Sequence, residues 1–176
     1  MHTLAPSPAL PLPLPQLRLK RDVVAALITG QLAGLIMAGV LIGVFIALGK
    51  PFYLPVQVIG SFVFGDTALF GFHAPAFITG LLLHQAGPAL VWAALFGLVI
   101  NKWDFNAVNL LGLGLALGVL SEVVDVKWVM PKAMTLLHGH DLWTANVPDV
   151  WSWAAHLVFG LSFVLFPAVR ARVPLN

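Results

Sequence analysis

Four long apolar runs take up most of the chain and constrain its fold more than any other feature. They cover residues 23–49, 76–100, 107–130 and 150–169, and few of their side chains are charged. A helix needs about 20 predominantly apolar residues to cross the hydrocarbon core of a bilayer. The sequence therefore predicts an all-α membrane protein in which four transmembrane helices form an up-and-down bundle.

The composition supports this class and excludes several functions. Hydrophobic residues make up 60% of the 176 residues, charged residues only 9%, and the mean hydropathy is +0.95. With a net charge of +2 and no basic patch, we expect no nucleic-acid partner. The lack of cysteine excludes disulfides, thiolate metal sites, iron–sulfur clusters and c-type haem attachment through the chain's own thiols. No phosphate-binding glycine loop, nucleophile elbow or HExxH motif is present, so we predict no enzyme.

The chain divides into an N-terminal arm, residues 1–21, and a transmembrane domain, residues 22–176. The arm has prolines at positions 6, 8, 11, 13 and 15. This spacing favours extended polyproline II over helix. We interpret the arm as flexible, and the alternative is a docking strip for a partner subunit.

The connection between the first two runs, residues 51–75, is apolar but interrupted. It contains Pro51, Pro55, Asp66 and three glycines, which argue against a continuous helix. We expect a short helix around residues 56–64 that lies at the outer interface or re-enters the membrane without crossing it.

Basic residues predict the orientation of the bundle. With four spans both termini lie on the same side. That side holds six of the nine basic residues: Arg18, Lys20, Arg21, Lys102, Arg170 and Arg172. The other side holds Lys50, Lys127 and Lys132. Since basic residues accumulate on the cytoplasmic side, both termini are predicted to be cytoplasmic.

The first run contains two pairs of glycines at four-residue spacing, Gly30 with Gly34 and Gly39 with Gly43. Small residues at this spacing let transmembrane helices approach closely. They predict packing inside the bundle, or alternatively a contact between two copies of the chain. The partners expected from these features are membrane lipids, other membrane-protein subunits or a homo-oligomer.

Ionisable side chains interrupt three of the four runs at one common depth. Counted from the middle of each run, His84, Glu122 and His156 each lie about 6 Å to the outer side, at ~1.5 Å per residue. Glycines share the helix face of each of these residues, which indicates that all three point into the bundle. Because such groups are costly in hydrocarbon, they need partners or a function.

Several roles are open for this cluster. His84 and His156 could bind a b-type haem between two helices. His84, Glu122, Asp125 and His156 could instead bind a metal ion such as zinc, copper or iron. The cluster could also relay protons, or hold the bundle together by hydrogen bonds alone. A second group of histidines, His73, His138 and His140, lies in the outer connections and predicts either transient copper or zinc binding or a solvated loop.

The layout resembles small bacterial inner-membrane proteins of the YagU type. The similarity rests on the glycine-rich spans, a third helix that ends near Pro131, an outer loop, and His156-Leu157-Val158 early in the last helix, and it covers mainly residues 112–169. It implies a four-helix protein of the bacterial inner membrane and no defined reaction. We therefore predict a non-catalytic accessory or packing subunit of a larger membrane complex. The alternative is a metal-ion, haem or proton-handling protein that uses the intramembrane His/Glu/His cluster.

Overall fold

The computed structural model describes residues 15–102 and 106–174. Within these ranges, four helical stretches are long and apolar enough to cross a membrane, as the sequence predicts. They are the first span Gln16–Ala47, the second Ala74–Ile100, the third Ala107–His138 and the fourth Asp149–Arg170. Most of the proline-rich arm lies outside the described residues.

The first helix begins earlier than the sequence suggested. It runs from Pro15 to Ala47, so residues 15–21, which we assigned to the arm, are its first two turns. Proline is well suited to the first position of a helix, where its missing N–H would have no partner. Asp22 lies in this part of the helix and is fully buried, with the Nε of Arg170 donating to its Oδ1. The contact joins the start of the first span to the end of the fourth.

Proline interrupts the three later spans without ending them. The second contains α-helices Ala74–His84 and Leu90–Ile100, joined by a π-helical segment, Gln85–Ala89, around Pro88. The fourth passes through a 3₁₀ segment, Ser162–Leu165, immediately before Phe166–Arg170. Wider or tighter turns of this kind accommodate a residue that cannot donate its backbone hydrogen bond.

The third span corrects our prediction that it ends at Pro131. An α-helix, Ala107–Ser121, leads into a π-helical segment, Glu122–Val129, and a further α-helix, Met130–His138, follows. Pro131 falls in the first turn of this last helix, where a proline is tolerated. The helix ends at Gly139, whose φ of +81° is the left-handed conformation that glycine adopts readily.

The segment between the first two spans contains a short helix, Leu54–Phe64, and a 3₁₀ turn, Gly65–Leu69. Its 11 residues correspond to about 16 Å, too short for a hydrocarbon core of about 30 Å. We call it the connecting helix. Buried Gln57 fixes the following turn, because its amide donates to the Ala68 and Gly71 carbonyls at 2.5 and 2.9 Å. The predicted short helix is present, and its depth in a membrane stays a prediction.

Glycines set the distances between the helices. A Cβ added at Gly80 would lie 2.0 Å from the carbonyl oxygen of Val56, so the connecting helix and the second span are in backbone contact. Gly118 faces the backbone of the fourth span in the same way, 2.5 Å from the carbonyl oxygen of His156. Gly30 packs on Ala93, which confirms intramolecular packing for the first glycine pair.

Neighbouring spans run in opposite directions. Gly30 and Gly34 of the first span meet Ala93 and Gln85 of the second, so one sequence number rises as the other falls. Both ends of the domain therefore lie on one side of the bundle, the terminal face, which holds the Asp22–Arg170 contact. The opposite side, the loop face, holds residues 48–73 and 139–148.

Aromatic side chains fill the half of the bundle near the terminal face. Phe96 of the second span stacks on Phe163 of the fourth with ring centroids 4.3 Å apart, and Phe166 meets Phe96 edge-on at 5.2 Å. All three rings are fully buried. This half of the bundle is an apolar core.

Candidate functional site

Glu122 is the centre of a polar cluster in the half of the bundle nearer the loop face. It is the first residue of the π-helical segment of the third span, and its side chain is fully buried. Its Oε2 accepts a hydrogen bond from the Ser152 hydroxyl at 2.7 Å and lies 2.8 Å from Nδ1 of His156. Both partners belong to the fourth span. The predicted convergence of Glu122 and His156 is confirmed.

The second oxygen of Glu122 faces Lys127, whose Nζ lies 3.4 Å from Oε1. Lys127 also contacts the Asp149 carboxylate at the start of the fourth span. The side chain of Asp149 is 66% exposed and that of Lys127 37% exposed. A chain of charged groups thus connects the buried carboxylate to the solvent-exposed end of the bundle at the loop face.

His156 uses one ring nitrogen for this cluster. Its Nδ1 lies 3.0 Å from the Ser152 carbonyl and 2.8 Å from the Glu122 carboxylate. Both neighbours only accept hydrogen bonds, so Nδ1 carries the hydrogen and donates it. The other nitrogen, Nε2, is an acceptor when the ring is neutral, and the His156 side chain lines a small cavity inside the bundle.

Asp125 lies three residues farther along the same π-helical segment and contacts a different helix. Its Oδ2 accepts a hydrogen bond from the indole N–H of Trp92 in the second span at 2.6 Å. Asp125 therefore points into the bundle and not toward the fourth span.

His84 is held by an amide pair that joins the first and second spans. Gln31 and Gln85 each donate their side-chain amide to the other's backbone carbonyl, both at 3.0 Å. The amide oxygen of Gln85 therefore turns to His84 and accepts from Nδ1 at 3.3 Å. Nε2 of His84 therefore remains an acceptor in the neutral ring.

The two histidines and Asp125 line one small cavity. It measures about 10 Å³, and Met37, Pro88, Trp92 and Phe159 complete its walls together with a few smaller side chains. A cavity of about 10–15 Å³ with several polar partners is large enough for one water molecule. His84 thus shares this cavity with Asp125 and His156, whereas Glu122 is not among the residues that line it.

A much larger cavity begins at the same side chains. It has a volume of about 650 Å³ and lies between the first three spans and the connecting helix. Six residues line both cavities: Met37, His84, Pro88, Trp92, Asp125 and His156. Most of its wall is aliphatic, and three exposed valines, Val63, Val91 and Val129, are among the residues that line it.

The predicted metal site is not assembled. No three His, Asp or Glu side chains in the described part of the chain are arranged to hold a metal ion, and this includes the set His84, Glu122, Asp125 and His156. The carboxylate oxygens of Glu122 contact Ser152, His156 and Lys127, while Asp125 accepts a hydrogen bond from Trp92. Haem binding by His84 and His156 stays a prediction.

The loop histidines have structural contacts. His140 pairs with Asp66 at 3.0 Å, and His138 lies 3.2 Å from the Phe62 carbonyl. His73 accepts a hydrogen bond from the backbone N–H of Ala76 and so caps the second span. They join separate parts of the loop face and do not form one cluster.

Sequence reasoning missed three members of the site. Trp92, Lys127 and Asp149 lie near the ends or on the apolar face of their spans, where an aromatic ring or a charge is ordinary. On an α-helix, side chains meet at a spacing of three or four residues, so the five-residue spacing of Glu122 and Lys127 carried no signal. The wider turn of the π-helical segment brings the two side chains together. Nothing in the sequence indicates that Trp92 faces Asp125.

A comparison of the chain with protein-family models, curated proteins and solved structures gave no match at any of the three levels. The resemblance to proteins of the YagU type therefore stays a prediction.

Proposed function

We propose that this chain is an integral membrane protein that exchanges protons between the loop face and the buried pair Glu122–His156. One observation carries the proposal. A fully buried carboxylate contacts an imidazole that lines a water-sized cavity, and its other oxygen forms an ion pair with a lysine that reaches an exposed aspartate. Ionisable residues inside a membrane are costly, and they commonly mark ion pathways, proton relays or ligand sites.

Access to the pair is one-sided. Gln31 and the buried Asp22 are about 14 Å apart along the first span. Between these two levels, the described parts of the four spans contain no ionisable side chain. Stacked rings of Phe96, Phe163 and Phe166 fill this region. Protons therefore enter and leave from the loop face, and the chain by itself does not conduct them across the bilayer.

Infrared titration of the purified protein in lipid nanodiscs tests the proposal. The expected result is a protonated-carboxyl band that is lost in Glu122→Gln and that titrates at a different pH in His156→Gln, because the two groups titrate as a coupled pair. Asp66→Asn, which removes an exposed carboxylate at the loop face, is the matched control. If the Glu122 band does not change with pH, or if it titrates at the same pH in His156→Gln, the cluster only holds the bundle together by hydrogen bonds.

A role as a packing subunit is the second candidate, and the second glycine pair favours it. A Cβ added at Gly39 or Gly43 meets nothing within 4 Å in the described part of the chain, and both residues are exposed. This small-residue face is therefore free to contact another transmembrane helix. Native mass spectrometry in mild detergent tests it, with Gly39→Leu as the disruptive variant and Gly112→Leu as the control. An unchanged set of complexes would remove this candidate.

We infer that both termini are cytoplasmic and that the chain resides in the bacterial inner membrane. The six-to-three division of the basic residues supports this orientation. The proton-exchanging pair would then open to the outer side of the membrane.

A further inference from the structure

We propose that the 650 Å³ cavity binds a single-chain amphiphile whose head group is a protonated amine. The proposal does not depend on proton exchange at Glu122. It rests on the shape of the cavity, on its aliphatic wall, and on the chemistry of its polar end.

The size and position of the cavity suit a molecule that enters from the bilayer. Ligand sites in proteins usually measure about 300–1,000 Å³ and are mostly apolar with a few placed polar groups. Side chains such as Met37, Leu41, Val56 and Ile59 supply the apolar wall. Exposed apolar residues that face lipid in a membrane line part of the cavity, so an alkyl chain can enter without crossing water.

Hydrogen bonding at the polar end selects the head group. Each donor there is already used, since the Trp92 indole donates to Asp125 and the Ser121 hydroxyl donates to the Gly118 carbonyl. Acceptors remain on Oδ1 of Asp125 and on Nε2 of His84. In its neutral form His156 adds a third. A ligand at this end must therefore donate hydrogen bonds.

Charge then favours an amine over a hydroxyl. Among the described residues, no lysine or arginine lies within ion-pair distance of Asp125, whereas Glu122 has Lys127. An ammonium group carries three N–H donors and a positive charge, so it matches both the acceptors and the carboxylate. A carboxylate head would place like charge beside Asp125 and would bring no donor.

A glycine in the cavity wall offers a clean way to block it. Gly87 lines the cavity, and a Cβ added there meets nothing within 4 Å. Gly87→Leu therefore adds a side chain to the cavity without meeting another part of the fold. Gly112 is also helical and has the same freedom, but it does not line the cavity, so Gly112→Leu is the matched control.

The test is photolabelling of the full chain in nanodiscs with a long-chain alkylamine that carries a diazirine, followed by mass spectrometry. We expect labels around Met37–Leu41 and Val124–Met130, competed by dodecylamine, weakly by dodecanol and not by dodecanoate. Gly87→Leu should reduce labelling by about tenfold or more, and Gly112→Leu should not. Asp125→Asn should weaken dodecylamine competition by about tenfold, the loss expected for one charge-assisted hydrogen bond, while Asp66→Asn has no effect.

Three results would overturn the proposal. Equal labelling of the wild type and Gly87→Leu would show that the amine only partitions into lipid. Equal competition by dodecanoate and dodecylamine would show that the polar end does not select the head group. Equal competition by dodecanol, unchanged in Asp125→Asn, would show that charge plays no part. Thermal unfolding of each variant confirms that loss of labelling is not loss of fold.

Discussion

Removing His156 should destabilise the bundle more than removing Glu122, although the two side chains share one contact. In His156→Leu the carboxylate of Glu122 stays fully buried and loses the donor at 2.8 Å. It keeps the Ser152 hydroxyl at 2.7 Å and Lys127 at 3.4 Å. The charge is therefore under-satisfied, but it is not isolated.

The cost of this change follows from the contacts that remain. Breaking a buried ion pair by removing one partner costs about 3–5 kcal/mol when the other charge is left alone. A single intramembrane hydrogen bond contributes about 0.6 kcal/mol on average and at most about 1.7. Because Glu122 retains two of its three partners, we expect about 2 kcal/mol for His156→Leu, between these limits.

In Glu122→Leu, each side chain that contacted the lost carboxylate still has another hydrogen-bond acceptor or ion-pair partner. His156 keeps the Ser152 carbonyl at 3.0 Å, and Lys127 keeps Asp149. The Ser152 hydroxyl can turn to a carbonyl of its own helix. We therefore expect a loss of about 1 kcal/mol or less, the size of one ordinary intramembrane contact. The double variant should be no less stable than His156→Leu alone, since no buried charge remains.

Equilibrium unfolding in mixed micelles, with increasing SDS, measures these differences. His140→Leu is the control, because its pair with Asp66 is about half exposed on both sides and should contribute little. A larger loss for Glu122→Leu than for His156→Leu would contradict the reasoning. So would a double variant whose loss equals the sum of the two single losses.

The remaining predictions concern packing, the terminal face and topology. Gly80→Ala should lower the free energy of unfolding by about 3 kcal/mol, because the added methyl group meets a backbone carbonyl at 2.0 Å. Gly39→Ala, which meets nothing, should leave the free energy of unfolding unchanged or raise it by up to ~1 kcal/mol. Thermal unfolding of the two variants compares these effects. Arg170→Leu should cost about 2–3 kcal/mol by leaving a buried aspartate with a single arginine at 3.8 Å, and Arg172→Leu, at an exposed position, should leave the unfolding midpoint unchanged. Cysteines introduced singly at Gln16 and Arg172 should react with an impermeant maleimide only after the membrane is opened, and labelling of just one in intact cells would exclude an even number of spans.

The sequence was sufficient for the fold because hydropathy and length are strong signals in membrane proteins. It also located Glu122 and His156 at one depth, since both positions could be counted from the ends of their spans. Glycine spacing also predicted that the face of the third span that carries Gly118 packs against another helix. These inferences depend only on position along a regular helix, and each is confirmed by contact distances.

The same reasoning did not predict where the third span ends or how the four candidate metal ligands are arranged. Pro131 was taken as the end of a helix, because a proline in an α-helix interior removes a hydrogen bond and clashes with the preceding turn. The π-helical segment before it relieves that conflict and lets the helix continue to His138. A change of helix type has no simple compositional signal, so neither the extension nor the new side-chain directions could be read from residue spacing.

The same π-helical segment explains why four plausible ligands do not form one metal site. In an α-helix, Glu122 and Asp125 would lie on nearly the same face and turn to the same neighbour. A π-helix turns less per residue, so side chains three positions apart diverge more widely. Glu122 accordingly meets Ser152 and His156 in the fourth span, and Asp125 meets Trp92 in the second. One carboxylate is neutralised by Lys127 and joined to the loop face, while the other keeps an unused oxygen at the polar end of the cavity. The widened turn thus directs two acids only three residues apart to different helices, and this separation underlies the two roles proposed for them, proton exchange for Glu122 and head-group binding for Asp125.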